Sequence, residues 1–166
     1  MNGAHLHLIV NHLPVVSVLF AVGFLLFGIL RKSRGLIRVG MVISVIVGLT
    51  GTAAFLTGEG AEDVLEQWPD ADRQLIHKHE ETAETAFQAA VILGFIGLAG
   101  LVFSGRHAGV NKIAPVLALV LALLTSIIMA LAANEGGDIR HPEIRDGAVP
   151  PTGQSLTPGG EVDDDH

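Results

Sequence analysis

Four long apolar runs constrain this chain more than any other feature. They cover roughly residues 14–30, 36–57, 82–103 and 113–133. Each offers about the 20 apolar residues that a helix needs to cross a hydrocarbon layer. Lipid gives the backbone no hydrogen-bond partners, so such runs satisfy their own polar groups as helices. The connections after the first and third runs are short, which makes those pairs antiparallel hairpins. The expected fold is an all-α, integral membrane four-helix bundle with up-down-up-down topology over residues 1–134.

Composition agrees with that reading. Apolar residues make up 49% of the chain, charged residues 16%, and the mean hydropathy is +0.52. There is no cysteine. Disulfides, thiolate metal sites, cysteine-ligated iron–sulfur clusters and covalently attached c-type haem are thereby excluded. A metal or haem in this chain needs His, Met or carboxylate ligands, and there are eight histidines to supply them. The first ten residues carry no Lys or Arg, and the first run is followed by "RKSR" rather than by a small-residue cleavage site. That run therefore reads as a retained helix.

The basic residues give the expected direction. Arg31, Lys32, Arg34 and Arg38 follow the first run, and Arg106 and Lys112 follow the third, with no acid among them. By the positive-inside rule both loops face the cytoplasm, and both termini and the central loop face outward. All 17 acidic residues fall on that outer side. In the central loop, Val64, Leu65 and Trp68 suit a short interfacial helix, and Pro69 suits the first turn of a new helix with Asp70 and Asp72 near its positive end. The third span is expected to begin as a helix outside the membrane. "GTAAFLTGEGAED" is expected to end the second span with a Thr-Gly turn, and "NEGGDIRHPEIR" to turn at its glycines after the fourth. Residues 135–166 form a Gly, Pro and acid-rich tail, with its end expected to be disordered.

The histidines are distributed unevenly. His5, His7 and His12 precede the first span, His77 and His79 the third, and His141 follows the fourth. Three separate segments thus bring six imidazoles toward the outer mouth of the bundle. His107 reads as a loop residue and His166 as a tail residue without a role. In a simple four-helix ring the first and third helices are diagonal, so a flat cofactor between them receives an imidazole from each side. His77 and His79 are about 200° apart on a helix, so only one faces the axis. His79 continues into a stripe of small residues, Ala83, Ala86, Ala90, Gly94 and Gly97, which leaves space for a porphyrin; the plainer reading of that stripe is close helix packing. His77 continues into Glu81, Glu84 and Gln88. Counted from the cytoplasmic ends, His7 matches the depth of His79 better than His12 does, but a bend before Pro14 alters that count. His12 and His79 are the favoured axial pair for haem iron, with His7, His77 and His141 as substitutes. Arg140 and Arg145 suit haem propionates or the acidic loop.

"HLIVNHLPV", with its His-x4-His-x-Pro spacing, and "GTAAFLTGEGAED", followed by a histidine that opens the third span, resemble a group of small bacterial four-helix membrane proteins of unknown function, similar to membrane b-type cytochromes. The resemblance implies a multi-pass protein of the bacterial inner membrane and draws attention to His7, His12 and His79.

Three functions follow as expectations. The first is a membrane b-type cytochrome that carries electrons through haem b at the periplasmic face, between quinol and a periplasmic or membrane partner. The second is a nonhaem Fe, Cu or Zn site on His77, Glu80, Glu81 and Glu84. The third is a noncatalytic anchor or subunit of a larger membrane complex that docks a periplasmic protein. No nucleophile motif, phosphate loop or basic nucleic-acid surface is present, so neither a stand-alone enzyme nor a nucleic-acid partner is expected.

Overall fold

A computed structural model describes residues 3–65, 67, 72–103 and 109–140. The described elements are α1 (Gly3–Val10), α2 (His12–Leu30), α3 (Arg34–Leu65), α4 (Arg73–Phe103) and α5 (Val110–Arg140). Four helical stretches are long and apolar enough to cross a membrane: His5–Leu30, Arg34–Leu65, Arg73–Phe103 and Lys112–Ile139. Their most apolar segments have mean hydropathies of 2.6, 2.1, 2.2 and 2.8, yet only 28% to 33% of each such segment is buried. Phe27, Leu49, Leu56 and Phe95 lie on the exposed surface. An apolar surface of this extent suits a hydrocarbon solvent and would be a liability in water.

The helices run past the expected spans. α3 has 32 residues and is about 48 Å long, against a hydrocarbon thickness of about 30 Å. The turn expected at Thr57–Gly58 is absent, and Val64 and Leu65 form the last turn of α3 rather than a separate interfacial helix. The turn expected at Gly136–Gly137 is absent too, because α5 continues to Arg140. A glycine in a helix interior costs about 1 kcal/mol relative to alanine. Here tertiary contact offsets that cost: Gly60 meets Gly3 of α1, and Gly136 meets the ring of His79. The early start of α4 agrees with expectation. The Asp72 carboxylate accepts the N–H groups of Gln74 and Leu75 at 3.1 and 3.3 Å and caps the helix. Trp68, Pro69, Asp70, His107 and the tail from His141 onward lie outside the described residues.

The departure of Leu13 from the helical region expected before Pro14 is also absent, while α1 and α2 remain separate elements that meet at Asn11. Leu13 is helical, and Pro14 falls in the first turn of α2, where its missing N–H costs no helical hydrogen bond. Asn11, between α1 and α2, keeps helical angles (φ −62°, ψ −24°), and its N–H reaches the His7 carbonyl at 2.9 Å. At the other end of α2, the Ser33 N–H bonds to Gly28 O (2.9 Å) and the Lys32 N–H to Ile29 O (3.1 Å). This is a Schellman ending with Lys32 at φ 52°.

α2 packs on α3 and α5, and α4 packs on the same two helices, so α2 and α4 occupy opposite corners. α1 lies along the far end of α3. The closest seam joins α3 to α4. A Cβ at Gly48 would stand 3.1 Å from the Gly94 Cα, one at Gly51 would stand 3.0 Å from the Ala90 Cβ, and one at Gly97 would stand 2.7 Å from the Met41 carbonyl oxygen. The small-residue stripe below His79 is therefore filled by α3. The room expected there for a porphyrin is taken up by backbone-to-backbone packing along Ala90, Gly94 and Gly97.

Several hydroxyls inside the spans bond to their own helix. Ser44 donates to Gly40 O at 2.9 Å, Thr52 to Gly48 O at 2.8 Å and Ser126 to Leu123 O at 2.8 Å. These groups are satisfied without a partner from the solvent, whereas the buried Thr125 Oγ1 of α5 has no hydrogen-bond partner.

Replacing Gly97 with Val should destabilise the protein by about 1–3 kcal/mol, as overpacking does. Replacing Gly23 with Ala, where nothing lies within 4 Å of the added Cβ, should leave stability unchanged or slightly raised. Reversible unfolding in mixed micelles measures both. Equal effects at the two positions would contradict the packing described.

Candidate functional site

The overlong helices matter because they carry the histidines. α1 and the last two turns of α3 extend one end of the bundle, and the first turns of α4 and the last turns of α5 extend the same end. His7 comes from α1 and His79 from α4. Both are partly buried, and they lie close enough to repel one another when both are protonated. His7 rests beside Gly58 of α3, with 3.9 Å from its Cε1 to the position of an added Cβ. His79 rests on Gly136 of α5, with a corresponding distance of 3.3 Å. A side chain at either glycine would press on the imidazole.

One ring nitrogen of each histidine is anchored by a hydrogen bond. His79 Nδ1 stands 2.9 Å from the Ala132 carbonyl oxygen. A carbonyl only accepts, so in the neutral ring Nδ1–H donates and the lone pair is on Nε2. His7 Nδ1 stands 3.2 Å from Thr57 Oγ1, and its ring also bonds to the Ala54 carbonyl. A hydroxyl both donates and accepts, so this contact suits either tautomer of His7. Two imidazoles from different helices are thus anchored to neighbouring helices. Ring anchoring through the second nitrogen is the usual way in which a protein orients a metal-binding histidine.

Two further acceptors stand at this end. Asn11, one turn beyond His7, has a buried Oδ1 without a hydrogen-bond partner. Glu135, next to Gly136, has a side chain only 12% exposed; its Oε1 pairs with Lys78 Nζ at 3.2 Å, while its buried Oε2 has no partner. Sequence reasoning missed both residues. An Asn and a Glu at span ends look like ordinary interfacial groups, and their burial depends on α1 and α5 continuing as helices.

The other predicted residues lie differently. His12 is exposed, and its Nδ1 bonds to Leu8 O of the preceding turn at 3.0 Å. His77 is exposed, with Nδ1 3.5 Å from Glu80 and Nε2 3.5 Å from Glu81. Its two nitrogens thus face two different carboxylates, as in an exposed ion pair, which contributes little to stability. Glu84 accepts from Gln88 at 3.2 Å. His77, Glu80, Glu81 and Glu84 do not converge on one point, and among the described residues no group of three or more His, Cys, Asp or Glu is placed to hold a metal ion. His5 is exposed at the start of α1. Arg140 ends α5, and His141 lies outside the described residues.

With 15N-labelled histidine, NMR should show neutral His79 as the Nδ1–H tautomer, assigned by loss of its signal in His79→Gln. An Nε2–H tautomer there would contradict the hydrogen bonding.

No protein family, curated protein or solved structure matches the chain.

Proposed function

We propose that the chain is a multi-pass membrane protein that holds haem b between His7 and His79 and passes electrons through it. The observation that carries this reading is the pair of partly buried imidazoles, from α1 and α4, each hydrogen-bonded through Nδ1 to a neighbouring helix. Two neutral imidazoles are the ligand set of a low-spin b-type haem, whose potential is tuned by hydrogen bonds to those rings and by burial. His7 and His79 would hold the haem beyond the closely packed α3–α4 seam, at the end built from α1 and the helix extensions. Anchoring of His79 to a backbone carbonyl and of His7 to a hydroxyl gives the two ligands unequal basicity.

The finer topology belongs to the same proposal. The helices run up-down-up-down in a bacterial inner membrane, with both termini and the histidine end on the periplasmic side. Arg31, Lys32, Arg34, Arg38 and Lys112, all exposed near the opposite end, support that direction under the positive-inside rule. A haem at the periplasmic edge would exchange electrons with quinol in the membrane and with a periplasmic redox protein or a larger membrane complex.

A second reading keeps the two imidazoles and puts a single transition-metal cation in the place of haem. In that case iron, copper or zinc replaces haem as the bound group.

Protein expressed with added haem should show a Soret band and sharp reduced α and β bands. His7→Ala and His79→Ala should each abolish or convert that spectrum, while His12→Ala and His77→Ala should leave it intact. A colourless protein with stoichiometric metal, lost in His7→Ala and His79→Ala, would favour the second reading. A protein with neither haem nor metal after supplementation would eliminate both readings.

A further inference from the structure

A separate feature lies at the opposite end of the bundle, on the lipid-facing side of α2. Leu19, Phe20, Gly23, Phe24 and Phe27 line a surface groove of about 400 Å³ that ends at Arg31 and is closed on one side by Leu36 of α3. Gly23 forms its notch, since nothing lies within 4 Å of an added Cβ. Leu19, Phe20 and Phe27 stand out from the bundle as its walls. From Leu19 to Arg31 the helix rises about 18 Å. That is close to the depth of one leaflet, roughly half of a 30 Å hydrocarbon core.

The two ends of the groove differ in chemistry. Its length is apolar, and its mouth is cationic. Arg31 borders it directly, and Lys32, Arg34 and Arg38 are exposed around the same turn. No acid lies between Met1 and Thr57, so none on α2, the turn or the adjoining part of α3 neutralises this cluster. A guanidinium presents a planar fork that matches phosphate oxygens, and basic residues at a membrane surface attract anionic lipid.

We propose that this groove is a binding site for one anionic glycerophospholipid, with an acyl chain along Phe20, Gly23 and Phe27 and the phosphate on Arg31. The site is independent of any cofactor at the histidine end. Its occupant is a lipid rather than free phosphate because the apolar channel and the cation are continuous. Binding would fix the depth of α2 in the bilayer and anchor the turn that joins it to α3.

The test is native mass spectrometry of the full chain released from bilayers of equal parts phosphatidylglycerol and phosphatidylcholine. Wild type should retain phosphatidylglycerol severalfold over phosphatidylcholine. Arg31→Gln should remove that preference, whereas Lys112→Gln, a basic residue outside the groove, should keep it. Gly23→Leu should fill the notch and reduce retention of either lipid, with circular dichroism unchanged because the added Cβ meets no neighbour and the side chain points away from the helix contacts. Equal retention of the two lipids by wild type, equal losses in Arg31→Gln and Lys112→Gln, or full retention in Gly23→Leu would each overturn the proposal.

Discussion

The backbone contact between α3 and α4 is the constraint from which the rest of the structure follows. Gly48 against Gly94, with Gly51 on Ala90 and Met41 on Gly97, lets the two helices approach without intervening side chains. In lipid no hydrophobic force drives helices together, so close packing of small residues supplies the attraction. α2 and α5 then occupy the flanks of this pair, with Val18, Leu25, Leu93, Ala118 and Ala122 buried between the helices. The same seam determines where a cofactor can be held. Its tightness excludes a flat ring from the middle of the α3–α4 interface, and a prosthetic group must lie beyond it, at the end.

That end is built from helix extensions that no membrane requires. α3, α4 and α5 are each about 46–48 Å long, well beyond a hydrocarbon layer. Their overhang, joined by α1, carries polar side chains on segments that composition alone assigns to loops. Lys78 reaches Glu135 across it, and His79 reaches Ala132. The arrangement separates two tasks: the apolar middle provides cohesion, and the overhang carries titratable groups in a less apolar environment, where their charge costs less.

Much of this was legible in the sequence. The four spans were evident because hydropathy is summed over twenty residues and tolerates local error. The stretch "HKHEETAE" was read as helical from Pro69 as a first-turn residue with Asp70 and Asp72 near the positive end; the described helix starts at Arg73, with Asp72 as its cap. The depth count favoured His7 beside His79, and the weight given to a bend at Pro14 set His12 there instead; the structure leaves His7 partly buried and His12 exposed. Proline in a first turn leaves the helix intact, and Leu13 shows this. The glycines at 58, 60, 136 and 137 misled in the same way. Read singly they mark turns, but contacts with Gly3, His7 and His79 keep two of the segments helical, and such contacts link residues more than fifty positions apart. The burial of Asn11 and Glu135 was illegible for that reason. The His79 stripe illustrates a further ambiguity: small residues at helical spacing are equally compatible with a cavity and with a seam, and only the partner helix decides between them.

The central claim is that two imidazoles from α1 and α4 share one iron. Pulsed electron paramagnetic resonance of the oxidised protein, with and without 15N-histidine, addresses it most directly. The account predicts low-spin ferric haem with hyperfine couplings from two histidine nitrogens, one of them lost in His7→Gln and the other in His79→Gln. Coupling to a single histidine, or two couplings that persist in both variants, would contradict it.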